Sequence, residues 1–206
     1  MSDRKIFGNE RDPELLELER FLKNCRVTRD SILDIGPWSE GSTKICSDYT
    51  HYLDTIDLVQ REALGKMVKN QYVEDFLFFD LPQYDFVVCV STLEHIGVTP
   101  IAMRDCREME LLAVKKMIGL AEKGVFLSFP YGEAILIKAK YNNIDRTMVK
   151  EMEKMARGFK FEKKFLSTAT LSDPDSWQEV SQDEADKATN ELSGGIKTIC
   201  IISMLK

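Results

Sequence analysis

The chain has 206 residues, a net charge of −6 and a pI near 5.1; 44% of its residues are hydrophobic and 30% are charged. This is the composition of a soluble globular protein, long enough for one sizeable core and too acidic for a broad nucleic-acid footprint. No apolar run approaches the ~20 residues that cross a bilayer, so neither nucleic acid nor a membrane is expected as a partner.

The N-terminal stretch "MSDRKIFGNERDPE" lacks the apolar centre of a secretory signal. Cys25, Cys46, Cys89, Cys106 and Cys200 are odd in number, scattered and without CxxC spacing, which reads as free thiols in a reducing, cytoplasmic setting. The expected organisation is one domain over residues 1–206, with a helical extension over 1–30 and a surface excursion over 166–195.

Apolar segments alternate with amphipathic ones, the pattern of a parallel sheet covered by helices on both faces. Asp12 before Pro13 marks a helix start, and Leu15, Leu16, Leu18, Phe21 and Leu22 supply its apolar stripe. "SILDI" is the first strand, a short helix follows from about Ser42, and "YLDTIDL" is the second strand. "REALGKMVKN" reads as helix, and "QYVEDFLFFDLP" carries a third strand into a loop. "YDFVVCVS" is almost continuously apolar, as a central strand covered on both faces should be. A long helix is expected from about Ile101 to Glu122, ended by Gly124, with "VFLSFP" as the fifth strand. "RTMVKEMEKMARG" reads as a further helix closed by Gly158. "FKFEKKFLS" and "IKTICIISMLK" alternate apolar and polar residues, as sheet-edge strands do, and fit an antiparallel pair. The polar, acidic segment between them is the expected excursion, with Trp177 either anchoring it or folding over a ligand.

Ligands of open α/β sheets collect beyond the carboxyl ends of the strands, near the switch in strand order. Three carboxylates fall there. Asp34 lies at the end of the first strand, two residues before Gly36. Asp57 ends the second strand, 23 residues after Asp34, where an acceptor-only group can take both hydroxyls of a ribose. Asp75 lies in the loop of the third strand, placed to accept from an adenine amino group. Any one of them alone reads equally well as a turn cap.

Taken with "ILDIG" and "TIDL", the stretch "DLPQYDFVVCVSTLEHIG" resembles the class I S-adenosylmethionine-dependent methyltransferases, over roughly Ser31 to Lys206. The resemblance implies an α/β, Rossmann-like three-layer sandwich with a seven-stranded, mostly parallel sheet and an antiparallel last strand. It implies S-adenosyl-L-methionine as cofactor, with Asp34, Gly36, Pro37 and Trp38 around its methionine part. Asp57 and Leu58 would then hold the ribose, Asp75 and Phe76 the adenine end, and Ser91 and Thr92 the strand-four side of the sulfonium. "FPYG" and the later "DSWQEVSQDEAD" are similar to small methyltransferases of polysaccharide and glycan gene clusters, which implies a small-molecule or glycan acceptor. "AILIKAKYNN" departs from the aromatic, glutamine-rich stretch of that group.

The glycine turn is irregular. Family glycine positions two, four and six residues after the acid are here Gly36, Trp38 and Glu40, with Gly41 one step later. Pro37 removes a donor, and Trp38 either closes over the cofactor or packs on the first helix.

Methyl transfer from a sulfonium requires proximity, alignment and exclusion of water, and a hydroxyl acceptor also needs a base. His95, one of two histidines, follows the fourth strand at the mouth of the expected cleft and is the first candidate, with Glu94 second. Both also suit a plain helix-capping role. Tyr131, after the fifth strand, is placed either to hydrogen-bond a substrate or to stand as a rim aromatic. No metal-ligand spacing is visible, and no metal is expected. The competing readings are a methyltransferase fold kept for binding or regulation without turnover, and a nicotinamide-dependent oxidoreductase, whose G-x-G-x-x-G loop is missing.

Overall fold

The computed structural model describes residues 10–37, 40–97, 107–133, 136–137, 141–170, 173–188, 190 and 195–206; Trp38 and the expected helix start at 101–106 lie outside them. In chain order the elements are α1 (Arg11–Asn24), β1 (Ile32–Ile35), α2 (Glu40–Tyr49), β2 (Leu53–Asp57), β3 (Asn70–Val73) and β4 (Tyr84–Val90). Then come α3 (Arg107–Leu120), β5 (Ala121–Pro130), the ribbon β6 (Leu136–Ile137) and β7 (Tyr141–Asn142), and α4 (Arg146–Met155). β8 (Lys160–Ser167), β9 (Gln178–Val180), α5 (Gln182–Ala185) and β10 (Thr198–Leu205) complete the chain. Among the described residues no helix is long and apolar enough to cross a membrane.

Eight strands form one sheet in the order β3–β2–β1–β4–β5–β10–β8–β9. All pairings from β3 to β5 are parallel, and β10 runs antiparallel between β5 and β8. This is the Rossmann-like α/β sheet expected from the alternation of segments, with the last strand reversed. Strand order switches between β1 and β4, the place where such sheets open a crevice.

Each face carries its own helical layer. Leu18, Phe21 and Leu22 of α1 and Cys46 of α2 pack on Ile32, Val88, Phe126 and Ile199. The Phe21 ring meets that of Phe86 edge-on at 5.9 Å, a favoured aromatic geometry. On the opposite face, Val114 and Met117 of α3 with Met148 and Met152 of α4 cover Leu33, Val87 and Leu127. β4 is buried along its length save for Asp85, as its apolar run predicts.

Several expectations are corrected. The segment "REALGKMVKN" forms one 3-10 turn, Glu62–Leu64, with only Leu64 buried, because no repeated apolar stripe exists to dock a longer helix. α3 stops at Leu120, short of the expected Glu122. Gly124 is no helix stop: it lies inside β5, where an added Cβ would stand 2.9 Å from the Met204 carbonyl oxygen. β10 is interior rather than an edge, and β9 adds an eighth strand from within the acidic segment.

That segment also contributes a buried clasp. Asn190, 2% exposed, accepts from the amides of Lys197 and Thr198 at 3.0 and 3.1 Å and donates to the carbonyls of Tyr131 and Thr198, both at 3.1 Å. It therefore joins the end of β5 to the start of β10. Replacing Asn190 with Ala removes the side-chain partner of the Lys197 and Thr198 amides and of the Tyr131 carbonyl, while the Thr198 carbonyl keeps the Tyr131 amide; it should cost about 1–3 kcal/mol, read as a lower urea midpoint with unchanged slope.

Candidate functional site

The carboxyl edge of β1, β2 and β4 gathers most of the residues singled out in the sequence. In a parallel sheet, paired residues point to the same face, and side chains alternate along each strand. Asp34 pairs with Thr55 of β2, two residues before Asp57, so the two carboxylates share the face covered by α1 and α2. Asp75 stands two residues past β3 in an exposed loop.

Asp34 is fully buried. Its Oδ2 accepts from the hydroxyls of Ser42 at 2.9 Å and Thr43 at 2.7 Å, both in the first turns of α2. Its Oδ1 has no hydrogen-bond partner among the described residues. Desolvation raises its pKa from 3.8 to about 6, against the two hydroxyls, which pull the other way. Ser42 and Thr43 were missed in the sequence, although "GST" after a strand and turn is a recognisable helix opening.

Gly36 has φ +62, and a Cβ there would lie 2.1 Å from Thr92 Cγ2. Thr92 also donates its hydroxyl to the Gly36 carbonyl at 2.8 Å. Glycine is thus favoured by a side chain from the turn after β4 as well as by the backbone angle. Pro37 behind it is buried.

Asp57 accepts from the Val59 amide at 3.3 Å and pairs with Arg61 Nε at 3.0 Å. A carboxylate offers about four lone-pair sites, so further donors fit. Arg61, four residues on, was not foreseen. Asp75 caps its own loop, accepting from the Leu77 amide at 2.9 Å. Around these two acids lie Leu58, Val59, Val73 and Phe78, exposed by 70%, 56%, 44% and 75%. Phe76 is corrected: only 7% exposed, it belongs to the core beneath Lys116, whose ammonium sits 5.1 Å from its ring centre.

Beyond β4 the surroundings become polar and dry. Ser91 is buried with φ +41, and its hydroxyl donates to Glu14 Oε1 of α1 at 2.5 Å. Arg11 donates to the carbonyls of Val90 at 3.0 Å and Ser91 at 3.3 Å, and lies 3.5 Å from Glu14 Oε2. Burial raises the Glu14 pKa from 4.5 to about 7, opposed by Arg11 and Ser91. Arg11 and Glu14 passed unnoticed, yet Glu14 falls on the apolar stripe, four residues before Leu18 and seven before Phe21.

Glu94 and His95 occupy the 3-10 turn Leu93–His95. Glu94 is 1% exposed with its pKa pushed well above the carboxylate range by desolvation, so it is withdrawn from the cleft. His95 is half exposed, its Nε2 3.9 Å from Glu94 Oε1. Tyr131 is corrected too. It is fully buried, its ring tilted against that of Phe165 with centroids 4.6 Å apart, and its hydroxyl pairs with Asp186 and accepts from Gln182 at 3.1 Å. Phe165 of β8 gives the ring an apolar partner, and Gln182 of α5 with Asp186 beside it a polar end.

No family model matches the sequence, and no curated protein matches it. Solved structures do. The magnesium protoporphyrin IX methyltransferase of Synechocystis, solved with bound SAM, aligns with TM-score 0.60 at 12% identity, over 95% of this chain and 79% of its own. The N-methyltransferase NodS of Bradyrhizobium japonicum, solved with S-adenosyl-L-homocysteine, gives 0.56 at 13% identity, over 96% and 86%. A SAM-dependent methyltransferase of Thermotoga maritima gives 0.55 at 14% identity, over 95% and 91%. The fold is therefore that of the class I S-adenosylmethionine-dependent methyltransferases.

The raised acids set the acid-side stability. Between pH 4.5 and about 7 the native chain holds a proton on Glu14 that the unfolded chain has already lost, so stability falls as pH rises through that window. Glu14→Gln should reduce this slope, leaving the parts due to Glu94, whose pKa burial also raises from 4.5, and to Asp34 between pH 3.8 and about 6, as read by thermal midpoints across pH.

Proposed function

We propose that this chain binds S-adenosyl-L-methionine at the carboxyl edge of β1, β2 and β4 and transfers a methyl group to a hydroxyl of a small-molecule or sugar acceptor. One observation carries the reading: at the switch point of a methyltransferase fold, the Gly36 turn is flanked on one face by the Asp34 and Asp57 carboxylates. The residues suit the cofactor. Asp57 keeps acceptor capacity for ribose hydroxyls, and the exposed Leu58, Val59, Val73 and Phe78 supply apolar surface for a base, with Asp75 at its rim. Asp34 Oδ1 is an acceptor still lacking a donor.

When bound, the cofactor supplies an activated methyl group. The chain's own tasks are then to align the acceptor, exclude water and take its proton. His95 is the base in this reading, because its half-exposed imidazole follows β4 while Glu94 stays buried behind it as an orienting partner. Four described cysteines are free thiols, which supports a reducing cytoplasm as the place of action.

The second reading is a fold kept for binding or regulation without turnover. Its support is the irregular "PWSEG" loop, with Trp38 and Glu40 at two of the positions where the family carries glycine. Formation of S-adenosylhomocysteine with a panel of hydroxyl acceptors separates the two.

Titration calorimetry with S-adenosylmethionine should give a saturable isotherm. Absence of heat and of any thermal shift at millimolar ligand defeats the binding claim. His95→Ala should lower turnover about 10²–10⁴-fold while leaving cofactor affinity nearly unchanged; equal losses in both would make His95 a structural residue.

A further inference from the structure

We infer that Arg11 and Glu14 are positioning residues for this cleft: from the N-terminal helix they hold the turn after β4 in a left-handed conformation, and through it the glycine turn after β1. The inference rests on the cleft described under the proposed function.

Ser91 is a non-glycine residue at φ +41, a conformation that side-chain-bearing residues adopt only when surroundings compel it. Each of its polar groups is engaged. Its amide donates to the Ser128 carbonyl at 2.9 Å, its hydroxyl to Glu14, and its carbonyl accepts from Arg11. Two of these three partners come from α1, some 77 to 80 residues away in sequence. The next residue, Thr92, fills the space over Gly36 and bonds its carbonyl. An unbroken set of polar contacts thus runs from α1 through Ser91 and Thr92 to the turn that faces the proposed cofactor.

A merely stabilising salt bridge does not require this arrangement. Arg11 donates to the two carbonyls of the turn and stands farther from Glu14 than from Val90. The charged groups around Glu14 are Arg11 and Glu10 on its own helix and Glu94 from the turn after β4, with the Ser91 and Ser128 hydroxyls beside it.

The test is a rescue. Glu14→Ala should weaken S-adenosylhomocysteine binding about tenfold, since the left-handed turn loses its anchor. Adding Ser91→Gly should recover most of that affinity, because glycine adopts φ +41 without strain and leaves no unpaired hydroxyl. A residue that only stabilised the helix would show no recovery. Amide hydrogen exchange is the parallel measurement: protection at Gly36, Ser91 and Thr92 should fall in Glu14→Ala and return in the double variant. Unchanged binding and exchange in Glu14→Ala, or loss without rescue, overturns the inference. If the wild-type chain binds no S-adenosylhomocysteine, the cofactor reading fails, while the exchange pattern still decides whether α1 positions the turn.

Discussion

The seating of Thr92 on Gly36 is the contact from which the geometry of this edge follows. The two residues lie in the turns that follow β1 and β4, on either side of the switch point. A side chain at position 36 would collide with Thr92 at 2.1 Å, and Thr92 bonds the carbonyl of the same residue. The turn after β1 therefore has one backbone path, set by φ +62 and by a neighbour that already fills the Cβ direction. Pro37 follows without disturbing it, since the donor it lacks is not one the turn uses between its own residues. The irregular glycine pattern thus preserves the geometric requirement at its first position, where a side chain would clash with Thr92 and strain the backbone.

Around that contact the protein buries acids, and each is held by a different device. Asp34 is stabilised by two hydroxyls from the opening turns of α2, so the strand end and the helix start are fastened together. Glu14 is held by Ser91 and Arg11, which fastens α1 to the end of β4. Desolvation outweighs these partners in both cases, as the raised pKa values state. Such groups weaken the fold above their unfolded pKa, and they sit at the edge where a ligand would supply the missing donors.

The two flanks of the cleft are chemically unlike. Toward β2 and β3 it is open, with exposed apolar side chains around Asp57 and Asp75. Toward β4 and β5 it is closed by polar groups from α1, leaving the His95 imidazole as the exposed titratable group of the 3-10 turn. A flat apolar base and a sugar match the first flank. Tyr131 is fully buried, and with Asn190 it links the end of β5 to the C-terminal strands.

The strands, their alternation with helices and the acids at their tips were legible in the sequence, because period and apolar run length act locally. "YDFVVCV" had to be central, since its run from Phe86 to Val90 is apolar throughout. "REALGKMVKN" misled because composition favours helix while the absence of an apolar stripe forbids docking one, and Gly124 misled because a glycine needed for a close strand contact looks like a helix stop. Glu14, Arg11 and Tyr131 were beyond local reading altogether. Their roles depend on partners 77, 79 and 55 residues away, and only the packing of α1 and α5 against the sheet decides which side chains meet water and which meet each other.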